Sequence, residues 1–404
     1  MKGRSVKQDL LELTIEEMKQ FAAALGEKPY RGKQVFGWIY RGAASFEEMT
    51  DLPKAFREKL QANAEIGNLH LLRVQEDRTD GTRKFLFGLG REEDAEGSDA
   101  PGATGAAGAA DASGAADAPD ASGVADAPEV SGAADAPEVS GAVDAPGPLS
   151  IESVFMKYSY GNTLCVSTQV GCKMGCKFCA SALGGFVRDL TAGEMMAQVL
   201  EAERQTGEPV SHIVLMGMGE PFDNYENVSR FLHLMHEPAG KNMSWRHMTV
   251  STSGIIPGME RFAEEFPQVN LAISLHRIDD AGRSRIMPVN RKYPVKDLLA
   301  AARRIAEKTG RRITFEYALI RGENDRPQDV KLLQEALQGM LCHVNLIPLN
   351  EVAETGLTGT GRQRAREIAE QLERAGVPAT VRRELGSEID GACGQLRLRH
   401  GSES

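Results

Sequence analysis

The chain has 404 residues, 26% of them charged and 41% hydrophobic, with a formal net charge of −10 at neutral pH. That length suits a barrel-sized domain with a smaller companion. No apolar run approaches the roughly 18 residues of a membrane span, and the charged start Met1-Lys2-Gly3-Arg4 leads into no apolar signal core. Six cysteines, three of them clustered, do not read as a secreted disulfide framework, so a reducing, cytoplasmic setting is expected.

Residues 1–68 are predicted to form a small helical domain. Thr14-x-x-Glu17 has the form of a capping box, and Met18, Phe21, Ala22 and Leu25 follow on one helical face. A second helix is expected over Arg31–Arg41, with Val35, Trp38 and Ile39 as its apolar stripe. Lys28, Arg31, Lys33 and Arg41 ring it, and Lys54, Arg57 and Lys59 follow; by pattern alone these are solvated charges on a small bundle. Residues 69–91 read as short strands, Leu71–Val74 and Lys84–Phe87.

Residues 92–149 change character. They carry 13 acids and no lysine or arginine, so the remainder of the chain stands at +3 and an RNA substrate is not excluded. From Ser113 the segment runs through four near-copies of a nine-residue unit: SGAADAPDA, SGVADAPEV, SGAADAPEV and SGAVDAPGP. A β-helix would need apolar strand positions that alanine does not supply, so a disordered low-complexity insertion is expected.

From residue 150 to 386 apolar strands alternate with amphipathic helices. Strands are expected near Leu164–Gln169, His212–Met216, Met248–Ser251, Leu271–Ser274, Ile313–Ala318, Val344–Ile347 and Ala379–Arg382. Between the first two, a Thr191-x-x-Glu194 cap leads into Met195, Met196, Val199 and Leu200. The fold class expected is α/β, a parallel βα array closed fully or partly into a barrel. Such barrels carry their chemistry at the C-terminal ends of the strands, where the motifs of this chain fall.

The first is Cys172-x3-Cys176-x2-Cys179, on a turn-rich loop. Three thiolates leave a tetrahedral set one ligand short, which in a 4Fe–4S cluster keeps one iron open to a substrate or cofactor. A zinc knuckle completed by Cys165 or a histidine is the alternative, although zinc sites more often use two C-x-x-C hooks and this loop has one. Gly217-Met218-Gly219-Glu220-Pro221 ends the second strand, either as a tight turn or as a close backbone approach whose Glu220 carboxylate accepts from a ligand ammonium. Ser251, Ser274-Leu275-His276 and Asn345 end later strands, and any one of them alone is ordinarily structural. Phe178 alone reads as packing. Cys342 reads as an inert core thiol, and Cys165, inside an apolar strand, as core by pattern. Cys393 differs, since Gly391 and Gly394 close by suit an accessible thiol, in residues 387–404, a C-terminal loop. Glu152, opening the strand Ile151–Phe155, is by pattern a solvated face.

The cysteine spacing resembles that of the radical S-adenosylmethionine (AdoMet) enzymes. With the stretches Thr163–Cys172, Met216–Pro221, Ser251–Gly254, Ser274–His276 and Gly391–Leu396, the chain resembles one family among them, the dual-specificity ribosomal and transfer RNA adenine-C2 methyltransferases, RlmN. The resemblance implies that Cys172, Cys176 and Cys179 hold a 4Fe–4S cluster, and that Gly219, Glu220, Ser251, Ser274, Leu275, His276 and Asn345 contact AdoMet. It implies two AdoMet per turnover: one methylates Cys393, and the other yields the radical that activates that S-methyl group toward C2 of adenine. Glu152, 13 residues before Cys165 as in the family, is implied to take the C2 proton. Cys165 then attacks Cys393, releasing the RNA and leaving a disulfide for an external reductant. The implied partners are 23S rRNA, an anticodon-loop adenosine of tRNA and an electron donor. It is further expected that no membrane is involved, that the basic N-terminal region touches RNA, as the resemblance implies, and that the chain acts as a monomer. A sister enzyme acting on C8 of the same adenosine, and a non-catalytic zinc RNA-binding module, stay open as alternatives.

Overall fold

The computed structural model describes residues 7–67, 69–90, 149–348, 356–383, 385, 386 and 389. The expected disordered segment 92–149 and the Cys393 loop lie outside the described residues, apart from Leu149 and Ile389 at their edges.

The N-terminal region is closed by two short parallel strands, β1 (Gln8–Asp9) and β2 (Ala64–Glu65), around helices α1 (Ile15–Ala24), α2 (Pro29–Tyr40) and α3 (Lys54–Asn63). The capping box forms as expected: the Thr14 hydroxyl accepts from the Glu17 N–H, and the Glu17 carboxylate accepts from the Thr14 N–H. Helix α2 starts two residues earlier than expected because proline fits the first helical turn, where no N–H is needed. Its buried stripe is also shifted. Phe36 and Tyr40 stack in the core beside Val35 and Ile39, while the Trp38 indole turns outward and donates to Asp51.

The main sheet has ten strands, in spatial order β14-β13-β12-β11-β10-β9-β6-β5-β4-β3. Strands β3 (Leu69–Glu76), β4 (Arg83–Leu89), β5 (Ser150–Tyr158) and β6 (Gly161–Cys165) form an antiparallel meander. The strands read at 69–91 are therefore the edge of the large sheet and longer than expected. After β6 the chain leaves to form a two-stranded ribbon, β7 (Gln169–Gly171) with β8 (Phe186–Asp189), around the short helix α4 (Ala180–Leu183). It then alternates through α5 (Ala192–Thr206), β9 (His212–Leu215), α6 (Tyr225–His236), β10 (Met248–Thr252), α7 (Ile256–Glu265) and β11 (Asn270–Ser274). Helices α8 (Asp280–Ile286) and α9 (Val295–Thr309), β12 (Ile313–Leu319), α10 (Pro327–Leu337), β13 (Cys342–Pro348), α11 (Arg362–Arg374) and β14 (Ala379–Val381) complete it.

From β6 onward every pairing in this sheet is parallel. The expected βα array is present. Among the described residues its edge strands β14 and β3 do not pair, so the barrel is open, and the sheet curls enough for Lys84 of β4 and Arg382 beyond β14 to line one cavity.

One expected strand is broken. The run Leu164–Gln169 stops pairing in the main sheet at Cys165, because the Ser167 N–H and carbonyl are both taken by the buried Gln198 side chain, at 2.9 and 3.0 Å, in place of a neighbouring strand. That substitution swings the chain across the ends of the parallel strands and delivers the cysteine loop there.

Candidate active site

Alternation along each strand sends every second side chain to the concave face of the sheet. There a cavity of about 360 Å³ opens at the C-terminal ends of the parallel strands. Its walls gather Glu152 from β5, Cys165 from β6, Ser251 from β10, Ser274 from β11 and Glu316 from β12, with Cys172, Cys176 and Cys179 across the top. Lys84 and Arg382 complete it from β4 and from beyond β14.

The cysteine loop is held down by backbone. The Cys172 N–H donates to Gly185, and the Lys177 N–H donates to Ile286 at the end of α8. Gly171 has φ 78°, and a Cβ there would lie 1.8 Å from the Gly185 oxygen, so only glycine allows the ribbon to close behind the thiols. All three cysteines are free thiols. Burial pushes the Cys172 thiol up to about 12 and Cys176 higher still, so each ionises here only against a cation that replaces its proton. Three soft donors on one wall of a cavity fit an iron–sulfur cluster, which takes one thiolate per iron at separate corners. Among the described residues no three His, Cys, Asp or Glu side chains surround a single point as one zinc ion requires.

The glycines of Gly217–Pro221 answer first to the chain itself. A Cβ on Gly219, at φ 112°, would lie 2.6 Å from the Thr168 hydroxyl, and one on Gly217 would strike Val166 and Ser167. Close approach to the segment after β6 is what these glycines permit. Glu220 is buried, and its two oxygens accept from the Phe222 N–H at 3.2 Å and the Ser253 N–H at 2.7 Å. Burial raises its carboxyl, against those hydrogen bonds. The residue lines the cavity.

His276 sits at φ 52°, its Nδ1 accepting from the Ala318 N–H at 2.9 Å and its ring edge-on to Phe178 at 4.7 Å. Burial, with the Arg283 charge, pulls it down to about 3, so it is neutral and carries its proton on Nε2. The Phe178 ring packs at this wall. Leu275 and Asn345 do not line this cavity. The Leu275 side chain belongs to the hydrophobic core. Asn345 donates to Glu316 at 2.9 Å and faces a second chamber of about 690 Å³ on the N-terminal side, which shares Met156, Met216 and Glu316 as walls with the first.

The two acid–base candidates lie together. Glu152 is buried, and its Oε2 is 2.9 Å from the Lys84 Nζ. The solvated face expected for Glu152 by pattern is the inner face of an antiparallel pair. Cys165 is half-buried on the same wall, and its surroundings push the thiol up to about 11, with the Arg382 charge opposing. Cys342 is buried in the core, as expected.

Sequence patterns missed Lys84, Arg283 and Arg382. Each has an arginine one or two positions away, Arg83, Arg285 and Arg383, and nothing in the sequence marks which member of the pair turns inward. The described part of the C-terminal segment, Leu385, Gly386 and Ile389, also lines the cavity, and the Gly386 N–H donates to Asp80 at 3.0 Å. Cys393 lies four positions beyond Ile389, outside the described residues.

Comparison with known proteins agrees along nearly the whole chain. Residues 8–66 match the ribosomal RNA large subunit methyltransferase N-terminal domain, and residues 166–333 match the radical SAM superfamily. Proteins named "Probable dual-specificity RNA methyltransferase RlmN" are similar to it. The one from Clostridium perfringens strain SM101 is 42% identical over 390 residues, 96% of each chain. The one from Symbiobacterium thermophilum is 43% identical over 97% of this chain and 92% of that one. A crystal structure of a radical SAM methyltransferase from Sphaerobacter thermophilus is 38% identical and superposes with a TM-score of 0.79, covering 96% of this chain and 98% of that chain.

Proposed function

The chain belongs to the RlmN family of dual-specificity RNA methyltransferases, radical SAM enzymes that act on RNA, and from that premise we propose that it methylates C2 of an adenosine. The substrates proposed are 23S rRNA and an anticodon-loop adenosine of tRNA, for which the relatives' dual specificity is the support. One observation carries the reading: a single cavity gathers the three clustered thiols, the strand-end residues Glu220, Ser251, Ser274 and His276, the carboxylate Glu152 and the thiol Cys165.

In this reading Cys172, Cys176 and Cys179 hold the 4Fe–4S cluster, and the wall from Gly219 to His276 holds AdoMet, with Glu220 accepting from its ammonium. When bound, cluster and AdoMet supply a carbon-centred radical and the methyl group, chemistry that belongs to the cofactors. Cys393 carries the methyl group as a thioether and, after losing one hydrogen atom from it, becomes joined through that carbon to the base; the adduct gives up one electron to a one-electron acceptor, a role the oxidised cluster would serve. Glu152 accepts the C2 proton, as a carboxylate on the wall of the cavity that a flipped-out adenine would enter. The Cys165 thiolate attacks the Cys393 sulfur: the new S–S bond forms as the S–C bond breaks, and the electron pair left on the carbon takes up a proton, from protonated Glu152 or solvent, to complete the methyl group of the base. A two-electron reductant then restores both thiols, which suits the cytoplasm. The basic side chains around α2 contribute RNA contact. No helix of the described residues is long and apolar enough to cross a membrane.

Mass spectrometry of nuclease-digested RNA after reaction with the reconstituted protein tests the assignment. The expected product is 2-methyladenosine. 8-Methyladenosine assigns the chain to the sister reaction, and RNA left unmodified by a cluster-loaded protein that cleaves AdoMet overturns the proposal.

A further inference from the structure

The chemistry proposed for the cavity gives no part to Lys84, one of the charged side chains on its wall. Lys84 is 0% exposed and Glu152 3% exposed, and the two meet at 2.9 Å. The strand register brings the two side chains to one face. Lys84 lies opposite Val154 and Leu86 opposite Glu152, so Lys84 and Glu152 are diagonal neighbours on one face of the β4–β5 pair. The backbone beneath is fixed as well, since the Ser167 hydroxyl donates to the Glu152 carbonyl at 2.6 Å.

A buried ion pair is a weak source of stability, because desolvating two charges offsets much of their attraction. It is an effective way to keep a buried carboxylate charged. Burial alone moves such a group up by as much as about 3–5 units, to where it is protonated at neutrality and cannot act as a base. The other titratable groups on the walls of this cavity, besides the three clustered thiols, are Tyr158, Glu220, His276 and Glu316, the Cys165 thiol, whose strand neighbour across β5 is Val154, and the Arg382 and Arg383 guanidiniums beyond β14.

We propose that Lys84 is a positioning residue for proton abstraction, holding Glu152 ionised and aimed into the cavity. The proposal rests on the reading of Glu152 as the base that takes the C2 proton. Lys84 itself touches neither substrate nor cofactor.

The test uses RNA tritiated at C2 of the target adenosine. Tritium release per 5′-deoxyadenosine formed is followed against pH with the full-length, cluster-loaded protein. Release by the unaltered protein should be constant through neutrality. Lys84→Met should still form 5′-deoxyadenosine but release tritium slowly at neutral pH, by about tenfold for each unit the carboxyl rises above it, recovering as the pH increases. Lys84→Arg should restore the profile. A purely structural role would lower release equally at all pH values, so a loss that higher pH does not recover overturns the proposal, as does an unaltered profile in Lys84→Met.

Glu152→Gln separates the two levels. If it releases tritium normally, the reading of Glu152 fails. If it stalls while Lys84→Met is unaltered, only the role of Lys84 fails. Should Lys84→Met not fold, the unaltered protein decides: flat release through neutrality supports the pair, and an acid limb there that Glu152→Asp displaces overturns it.

Discussion

At Cys165 the strand and the cavity make opposite demands on one side chain. As a small apolar residue in β6 it fills space, and burial keeps its thiol protonated, up to about 11. As a nucleophile it must lose that proton, which the nearby Arg382 charge assists. Paired variants separate the roles. Cys393→Ala should give neither methylated RNA nor adduct. Cys165→Ala should accumulate protein covalently joined to RNA, seen as a nuclease-sensitive shift on a denaturing gel. If Cys165 were only core, its loss would cost about 1 kcal/mol and trap nothing.

His276 yields a pH prediction of definite sign. Its folded value is pulled from 6.5 to about 3, so between those values the unfolded chain binds a proton that the folded chain refuses. Stability from this residue is therefore complete above about 6.5 and declines as pH falls, by about 1.4 kcal/mol per unit. Denaturant unfolding of His276→Gln should show an acid dependence flatter by about one proton; parallel curves would remove His276 as the cause.

Among the elements, α8 controls how the strand ends are spaced. Arg283, fully buried, donates to the carbonyls of Ser253, Ser274 and Leu275 and to the Asn290 side chain, at 2.7–3.0 Å. It thereby ties the exits of β10 and β11, where Ser251, Ser274 and His276 face the cavity. Burial draws it down to about 10, still a cation at neutrality. Arg283→Met should cost on the order of 3 kcal/mol, the upper end for a buried acceptor left unpaired, and should weaken AdoMet binding. Lysine cannot span three carbonyls, so Arg283→Lys should rescue little. An Arg283→Met protein with unaltered melting and AdoMet affinity would show that the strand ends are held by other contacts.

For the whole molecule, the acidic repeats interrupt the sheet at a place that tolerates length. Strands β4 and β5, which flank them, are antiparallel neighbours, with Gly88 opposite Ser150 and the Leu89 N–H donating to the Leu149 carbonyl at 2.8 Å. The insertion therefore stands where a hairpin turn would, and closing a long loop costs little more than a short one. Deleting Ser98–Gly147 should leave iron loading and methylation close to those of the full chain, measured by iron and sulfide content and by product yield. Loss of the cluster or of folding in the deletion would give the repeats a structural role.

Local chemistry was legible in the sequence wherever a few adjacent residues suffice: the two capping boxes, the alternation of strands and helices, the thiol spacing and the low-complexity composition. Those signals depend on near neighbours and survive any global arrangement. The break after Cys165 was not legible, since it depends on Gln198 from a helix that follows in the chain. Nor was the inward face of Glu152, because period-two alternation does not say which side of a strand is buried. Lys84, Arg283 and Arg382 became part of the site only when strand register and helix packing brought them to it. Leu275 and Asn345 turned away from the main cavity for the same reason. Composition and spacing determined the kind of chemistry; only the curled sheet decided which side chains share the cavity, because contacts between distant segments are set by pairing and burial.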